Sequence, residues 1–232
     1  MIKLVRILTF LLAVVITIFS IFYVDSEQQL AQAQSAYRSG DLDQTLRKAR
    51  RANRAFSEDD KKVDAYYLQA RAASKMNWIQ KAKGYLDRLL NLDQENISGL
   101  LFRGEIGLKL GQHENALHDL DKGLTLASGK IKPNTQAYFL SKRGLSHLAL
   151  NHISKAELDA KEAVKLSDKL SEAHDLMSKV LEEKGDIKNA LEECQKAYYL
   201  AQEKDQRSFM TPEGRKLSDR VIYIKGKYLL SK

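Results

Sequence analysis

The sequence predicts an all-α solenoid of about five helical hairpins, closed by a C-terminal capping helix and preceded by one transmembrane helix. Three observations carry this expectation: an uncharged apolar run near the amino terminus, one turn-and-helix pattern that recurs five times, and a scarcity of strand signals after residue 25. With 44% hydrophobic and 29% charged residues and only 2 prolines, the chain suits a packed protein and excludes a collagenous or disordered one. A single cysteine, Cys194, excludes an internal disulfide and a thiolate metal cage. The net charge of +8 is spread over many positions and by itself favours no more than an acidic surface.

The first element runs from Ile7 to Val24, 18 residues without a charge. At about 1.5 Å per residue, a helix of that length covers roughly 27 Å and crosses a hydrocarbon core. Lys3 and Arg6 before it also fit the positive start of a cleaved signal peptide. Against cleavage, the run exceeds a usual signal core, and the bulky Phe22, Tyr23 and Val24 leave no small-x-small site directly after it. The one such triplet, Ala31-Gln32-Ala33, falls inside the first repeat. A retained anchor over residues 1–25 is therefore expected, with repeats over 26–203 and a linker and capping helix over 204–232. Lys3 and Arg6 precede the span and Asp25 and Glu27 follow it, which puts the amino end in the cytoplasm and the rest across the membrane. The basic run from Arg47 to Arg54 lies just outside the window in which that rule is counted.

The repeats come next. The segments SGDLDQTL, MNWIQKAK, LGQHENAL, LNHISKAE and KGDIKNAL share a small or polar turn, an apolar residue, two polar residues and a small residue. Anchored on that last residue, the copies stand at Thr45, Ala82, Ala116, Ala156 and Ala190, separated by 37, 34, 40 and 34 residues. The excess is expected in loops at SEDDKK and SGKIKPNT. Twelve residues before each anchor stand Ala33, Ala70, Gly104, Gly144 and Ser178, and seven after it stand Ala52, Leu89, Gly123, Ala163 and Ala197. Antiparallel helices that cross closely demand small residues at fixed phase. Leu89 breaks that rule. Gly40, Gly111 and Gly185 stand two residues ahead of Leu42, His113 and Ile187, where helix C-termini favour glycine.

On these residues the chain resembles the tetratricopeptide repeat family over about residues 26–203, a unit of about 34 residues with small residues at three fixed positions. The family's early tryptophan is replaced by Gln29, Tyr66, Leu100, Leu140 and His174, and its late proline by Ser57, Gln94, Ser128, Asp168 and Gln202. After the repeats, Thr211-Pro212-Glu213 supplies an N-cap, a first-turn proline and an early acid. Leu217, Val221, Ile224 and Tyr228 then form one apolar stripe, expected to seal the open edge of the last repeat.

Chemistry is sparse. No phosphate loop, His-Glu-x-x-His or GxSxG pattern occurs. Of the histidines, His113/His118 and His147/His152 are each five apart, about 140° around an ideal helix, so neither pair shares a face, and a metal site is not expected of them or of His174. Cys194 sits where other repeats carry Ala49, Leu86, Leu120 and Ala160 and reads as a small buried hydrophobe. Asn96-Ile97-Ser98 fits a glycosylation triplet. No enzyme activity, cofactor or nucleic acid is expected.

Two surfaces remain as candidates. The basic helix, with Arg47, Lys48, Arg50, Arg51 and Arg54, reads as a solvated convex face or as a contact for anionic lipid headgroups. The resemblance implies a concave groove lined by first-helix residues. These are Tyr37, then Tyr67 and Arg71, then Leu101, Phe102, Glu105 and Leu108, then Tyr138, Leu145 and Leu148, and last Asp175, Lys179 and Glu182. The family's Lys and Asn clamp for a terminal carboxylate is missing, because Leu30, Ala31, Gln34, Tyr67, Leu68 and Arg71 hold its places. The function expected is that of a membrane-anchored adaptor on the periplasmic side of a bacterial inner membrane, binding a helix or an extended peptide. The alternatives are a permanently bound subunit of a membrane complex and a mitochondrial import receptor that faces the cytosol.

Overall fold

The computed structural model describes residues 2–54, 59–204 and 212–230, with the side chains of 2–6, 19–25, 204 and 212–214 outside that description. Among the described residues there are eleven helices and no strand. They are α1 (Ile2–Ser39), α2 (Leu42–Arg54), α3 (Asp59–Lys75), α4 (Ile79–Leu92), α5 (Ile97–Lys109), α6 (His113–Leu126), α7 (Pro133–Ala149), α8 (Ile153–Leu166), α9 (Ser171–Glu183), α10 (Ile187–Lys204) and α11 (Pro212–Leu230). The helix α1 runs unbroken through the boundary expected at residue 25. Within the expected loops, Asp59 to Lys62 already belong to α3 and Pro133 opens α7. Thr211, the expected N-cap, lies outside the described residues. Among those described, no helix is long and apolar enough to cross a membrane; part of the 7–24 run, from residue 19 onward, has its side chains outside that description.

The chain divides into two compact units, Met1–Ile106 and Gly107–Lys232. In the first, α1 packs on α2 and α3, α2 on α3, and α3 on α4. Its core is Leu30, Ala33, Ala49, Ala52, Ala65 and Leu68. In the second, α6 to α11 pack in succession, and α7 also meets α9.

Each of the five turns between paired helices is built the same way. A residue with positive φ stands at Gly40, Asn77, Gly111, Asn151 and Gly185. The next N–H, from Asp41, Trp78, Gln112, His152 and Asp186, donates back to Ala36, Ala73, Gly107, His147 and Leu181 at 2.8–2.9 Å. This is the Schellman arrangement, which satisfies helix-end carbonyls and reverses the chain. Asparagine is the side-chain residue that best tolerates this conformation. Asn77 and Asn151 thus fill the two places where the glycine signal is missing.

The small residues lie at the crossings as expected. Thr45, Ala82, Ala116, Ala156 and Ala190 are at most 1% exposed. The positions twelve before and seven after them are buried as well. Two buried hydroxyls on this lattice are satisfied: Thr45 Oγ1 donates to Asp41 O at 2.7 Å, and Ser178 Oγ to Ala190 O at 2.9 Å. Leu89, the departure, is fully buried because the partner residue is small instead: a Cβ on Gly99 would stand 2.6 Å from Leu89 Cδ2.

Charge ties neighbouring helices together in the second unit. Arg143 on α7 donates to Asp159 on α8 through Nε and Nη2 at 3.0 and 2.6 Å, and through Nη1 to Asp121 on α6 at 3.0 Å. The bonds to Asp159 raise the Arg143 pKa. His174 on α9 is fully buried, with Nδ1 2.5 Å from Glu193 Oε2 on α10 and Nε2 2.8 Å from Asp168 O. The bond to His174, ahead of the opposing effect of burial, holds the Glu193 carboxyl below the ordinary glutamate range. The helix α11 closes the last hairpin as expected: Ile224 is buried with Ala190 and Cys194, and Val221 packs beside them.

Two tests follow from this packing. Gly99→Val should destabilise the first unit by about 1–3 kcal/mol through overpacking, and Leu89→Ala by about 2–5 kcal/mol through cavity formation. Their double mutant should lose clearly less than the sum; strict additivity in denaturant melts would refute the exchange of volume between these sites. The depressed Glu193 pKa makes its contribution to stability present above the ordinary glutamate value and lost as pH falls through the lower folded value. The gap in melting temperature between the native chain and Glu193→Gln should therefore be widest near neutrality and shrink as the pH falls below the ordinary glutamate range. A gap that stays constant with pH would show that this pair does not act through its charge.

Candidate functional site

The first unit carries a groove built on α1 and α3. Tyr37 sits half-buried against the core, which fixes its ring, and α3 presents Tyr67, Arg71 and Lys75 one turn apart. The Arg71 guanidinium lies 4.5 Å from the centre of the Tyr37 ring and 5.9 Å from that of Tyr67, and Lys75 Nζ lies 4.3 Å from Tyr37. These side chains, with Gln34, Arg38 and Asp64, enclose a cavity of about 440 Å³. Burial, only partly offset by Arg71, pushes the Tyr67 phenol above its ordinary pKa, so at neutral pH the hydroxyl remains a neutral donor and acceptor. Phe102 extends this wall, edge-on to Tyr67 at 5.9 Å.

Tyr37, Tyr67, Arg71 and Phe102 thus stand together, and Lys75, which the sequence reading did not single out, stands with them. Its signal is the spacing of four from Arg71, which puts both cations on one helix face. Leu101, predicted beside them, is 2% exposed and belongs to the core. At the clamp positions, Leu30 and Leu68 are core residues too.

In the second unit, Leu108 is half-buried, and Tyr138 packs on the Ala137 and Leu140 cluster with its ring under Lys142 Nζ at 4.6 Å. Leu145 and Leu148 lean on Ala156, Ala160, Leu176 and Val180, so much of each is spent on packing. The charged positions of the last repeat are taken by α11. Arg220 approaches Asp175 at 3.6 Å and Glu182 at 3.4 Å, Lys227 pairs with Glu182 at 2.9 Å, and Lys179 pairs with Asp175. A sequence reading by repeat phase alone does not see that a capping helix covers these groups.

The basic helix α2 exposes Arg47, Arg50, Arg51 and Arg54, with Lys48 partly covered. The histidines depart from expectation. His147 and His152 come together, ring centres 5.7 Å apart, because α7 ends at Ala149 and the chain turns between them. His147 is nearly buried, 4.0 Å from Asp159, and burial lowers its pKa. Among the described residues, no group of three or more His, Cys, Asp or Glu is placed to hold a metal ion. Cys194 is fully buried and burial raises its pKa, which suits a packed thiol. Asn96 is engaged as a helix cap: its Oδ1 accepts the Gly99 N–H at 2.9 Å and its Nδ2 donates to Asp93 at 3.0 Å.

Residues 63–96, the second hairpin, match the family model described as tetratricopeptide repeat. No curated protein matches the sequence significantly. Several solved structures share the fold. "MamA 41-end from Desulfovibrio magneticus RS-1" superposes with a TM-score of 0.66 at 21% identity, over 78% of this chain and 97% of that one. TTC0263, a thermophilic TPR protein in Thermus thermophilus, gives 0.59 at 22% identity over 86% and 98%. YrrB, "a TPR protein with an unusual peptide-binding site", gives 0.61 at 17% identity over 80% and 91%. The fold is a tetratricopeptide-type helical solenoid.

Proposed function

We propose that the chain is an interaction scaffold that binds an extended or helical segment of a partner protein in the groove of Tyr37, Tyr67, Arg71 and Lys75. The observation that carries this reading is the stacking of two cations on a pair of half-buried tyrosines around an open cavity. Such a surface offers aromatic area at low entropy cost, together with charge for a partner's carboxylates. The absence of clustered nucleophiles or metal ligands in the sequence motifs favours binding over catalysis.

We further propose that residues 7–24 hold the scaffold at a membrane, with the repeats on the periplasmic side of a bacterial inner membrane. The support is the uncharged run itself and the exposure, all around α1, of Ile7, Leu8, Phe10, Leu11, Leu12, Val15, Ile16 and Ile18. A second reading, a permanently docked subunit, is favoured by the outer face of α11, where Ile222 is 68% and Leu230 91% exposed.

A photo-crosslinking residue placed at Tyr37 or Arg71 should capture the same partner, while one at the exposed Leu158 on α8 should not. Tyr67→Ala should weaken that capture by about 1–2 kcal/mol without lowering the melting temperature in proportion. Equal capture at Leu158 would remove the groove as the site. Adducts in fixed stoichiometry, formed through Ile222 instead, would favour the subunit reading.

The chain should stay with membranes through a carbonate wash, and a reporter fused after residue 232 should be active only outside the cytoplasm. Release by carbonate would refute the anchor, and a cytoplasmic reporter would reverse its orientation.

A further inference from the structure

The first unit holds a second cavity, of about 530 Å³, formed by α2, α3 and α4 and not used by the peptide groove. Its rim is cationic on two sides: Arg50 and Arg54 come from α2, and Lys81 and Arg88 from α4, all four exposed. No aspartate or glutamate stands among the described lining residues. The α4 cations rest on rings, Lys81 Nζ 3.9 Å above Trp78 and the Arg88 guanidinium 6.0 Å from Tyr85.

The floor is polar and incomplete. Gln69 on α3 lines the cavity, is 2% exposed, and its buried Nε2 has no hydrogen-bond partner among the described residues. A buried donor left without a partner is destabilising, so a group that accepts from it there is favoured. Asn53 beside it has an unpartnered Oδ1, and a turn of its amide presents the NH₂ group to the same space.

The opening itself depends on one residue. Gly84 lines the cavity at a mid-helix position where the other repeats carry Arg47, His118, Leu158 and Glu192, and a Cβ there would meet nothing within 4 Å. Glycine inside a helix is unfavourable relative to alanine, and here it leaves the space between α2 and α4 clear of a side chain.

We propose that this cavity binds the phosphate of a phosphomonoester. Four cations without a lining acid repel one another until an anion enters, and a single carboxylate would engage only one guanidinium fork. The three terminal oxygens of a dianionic phosphomonoester, each able to accept more than one hydrogen bond, serve Arg54, Arg88, Lys81 and Gln69 Nε2 together. The Tyr66 and Tyr85 rings flank whatever carries the phosphate. This site is separate from the peptide groove, on different faces of α3.

The test uses the full chain in a neutral detergent, titrated with inorganic phosphate and, separately, with a short-chain soluble phosphatidate, and read by calorimetry. Saturable binding of either probe is expected. Equal affinity points to a free phosphate compound as the source, and tighter phosphatidate binding points to a lipid headgroup. Lys81→Gln/Arg88→Gln should weaken binding by about tenfold or more, whereas Arg47→Gln/Arg51→Gln, outside the cavity, should change it little. Gly84→Leu should abolish binding while leaving the melting temperature equal or higher, which separates occlusion from misfolding. No saturable binding of either probe, or binding unchanged in both Gly84→Leu and Lys81→Gln/Arg88→Gln, would overturn the proposal. So would tighter capture of a single-stranded oligonucleotide that Arg47→Gln/Arg51→Gln reduces equally.

Discussion

The structure depends on a steric limit: where the two helices of a hairpin cross, the backbones come so close that only a hydrogen, a methyl or a small hydroxyl fits between them. Gly107 shows the scale, because a Cβ placed on it would stand 3.1 Å from the Cβ of Ala116. Close approach lets the flanking leucines interdigitate at the density of a protein interior. It also fixes which face of each helix turns outward. The turn residue with positive φ stands five residues before the small residue in every hairpin, so each hairpin reverses through the same hydrogen-bonded turn and buries the corresponding position of its second helix.

The limit acts on pairs of residues and not on single positions, as the exceptions make plain. Leu89 is tolerated because Gly99 yields the volume. Gly144 has the complementary role, since any Cβ there would press on the Leu176 side chain and bar the next first helix from its seat. Buried polar groups obey the same logic. Arg143 is held by carboxylates from α6 and α8, and Ser178 spends its hydroxyl on the Ala190 carbonyl and accepts from Arg220 at 3.0 Å. An end repeat has no following hairpin to supply such partners, and α11 supplies them through Arg220, Lys227 and Ile224.

Much of the fold was legible because its requirements repeat. Five small residues in register predicted five crossings, and three glycines predicted three of five turns; Asn77 and Asn151 were missed because asparagine in a turn is ambiguous until φ is known. The stripe of Leu217, Val221, Ile224 and Tyr228 foretold the cap for the same periodic reason. What did not read out were contacts between residues distant in sequence with no counterpart in other repeats. Neither the cover of Asp175 and Glu182 by α11 nor the Leu89 and Gly99 exchange follows from repeat phase. The pairing of His147 with His152 was misread because an ideal helix was assumed across a turn. In the groove, Tyr37, Tyr67 and Arg71 were legible by phase, whereas Leu101 was not distinguished from them, since phase gives direction along the helix and not depth.

A repeat protein therefore divides its information unequally. Positions common to all units answer to packing, and a residue that obeys the pattern says little about partners. Departures carry more, provided no packing need explains them. Leu89 departs and is explained by Gly99, so it is structural. Gly84 departs toward a residue that disfavours helix, at a place where a Cβ would meet nothing within 4 Å, and lies between cations with no acid among the described lining residues. Lys75 keeps a cation where Arg38 and Lys109 also stand in their repeats, but it sets that cation over Tyr37, where Arg71 already stacks. Both features lie in the first unit, Lys75 on α3 and Gly84 on α4, the one opposing stability through like charge beside Arg71 and the other through helix propensity. Interactions that work against the fold at exposed positions need a reason outside packing, and α3 contributes residues to both of the surfaces on which they occur.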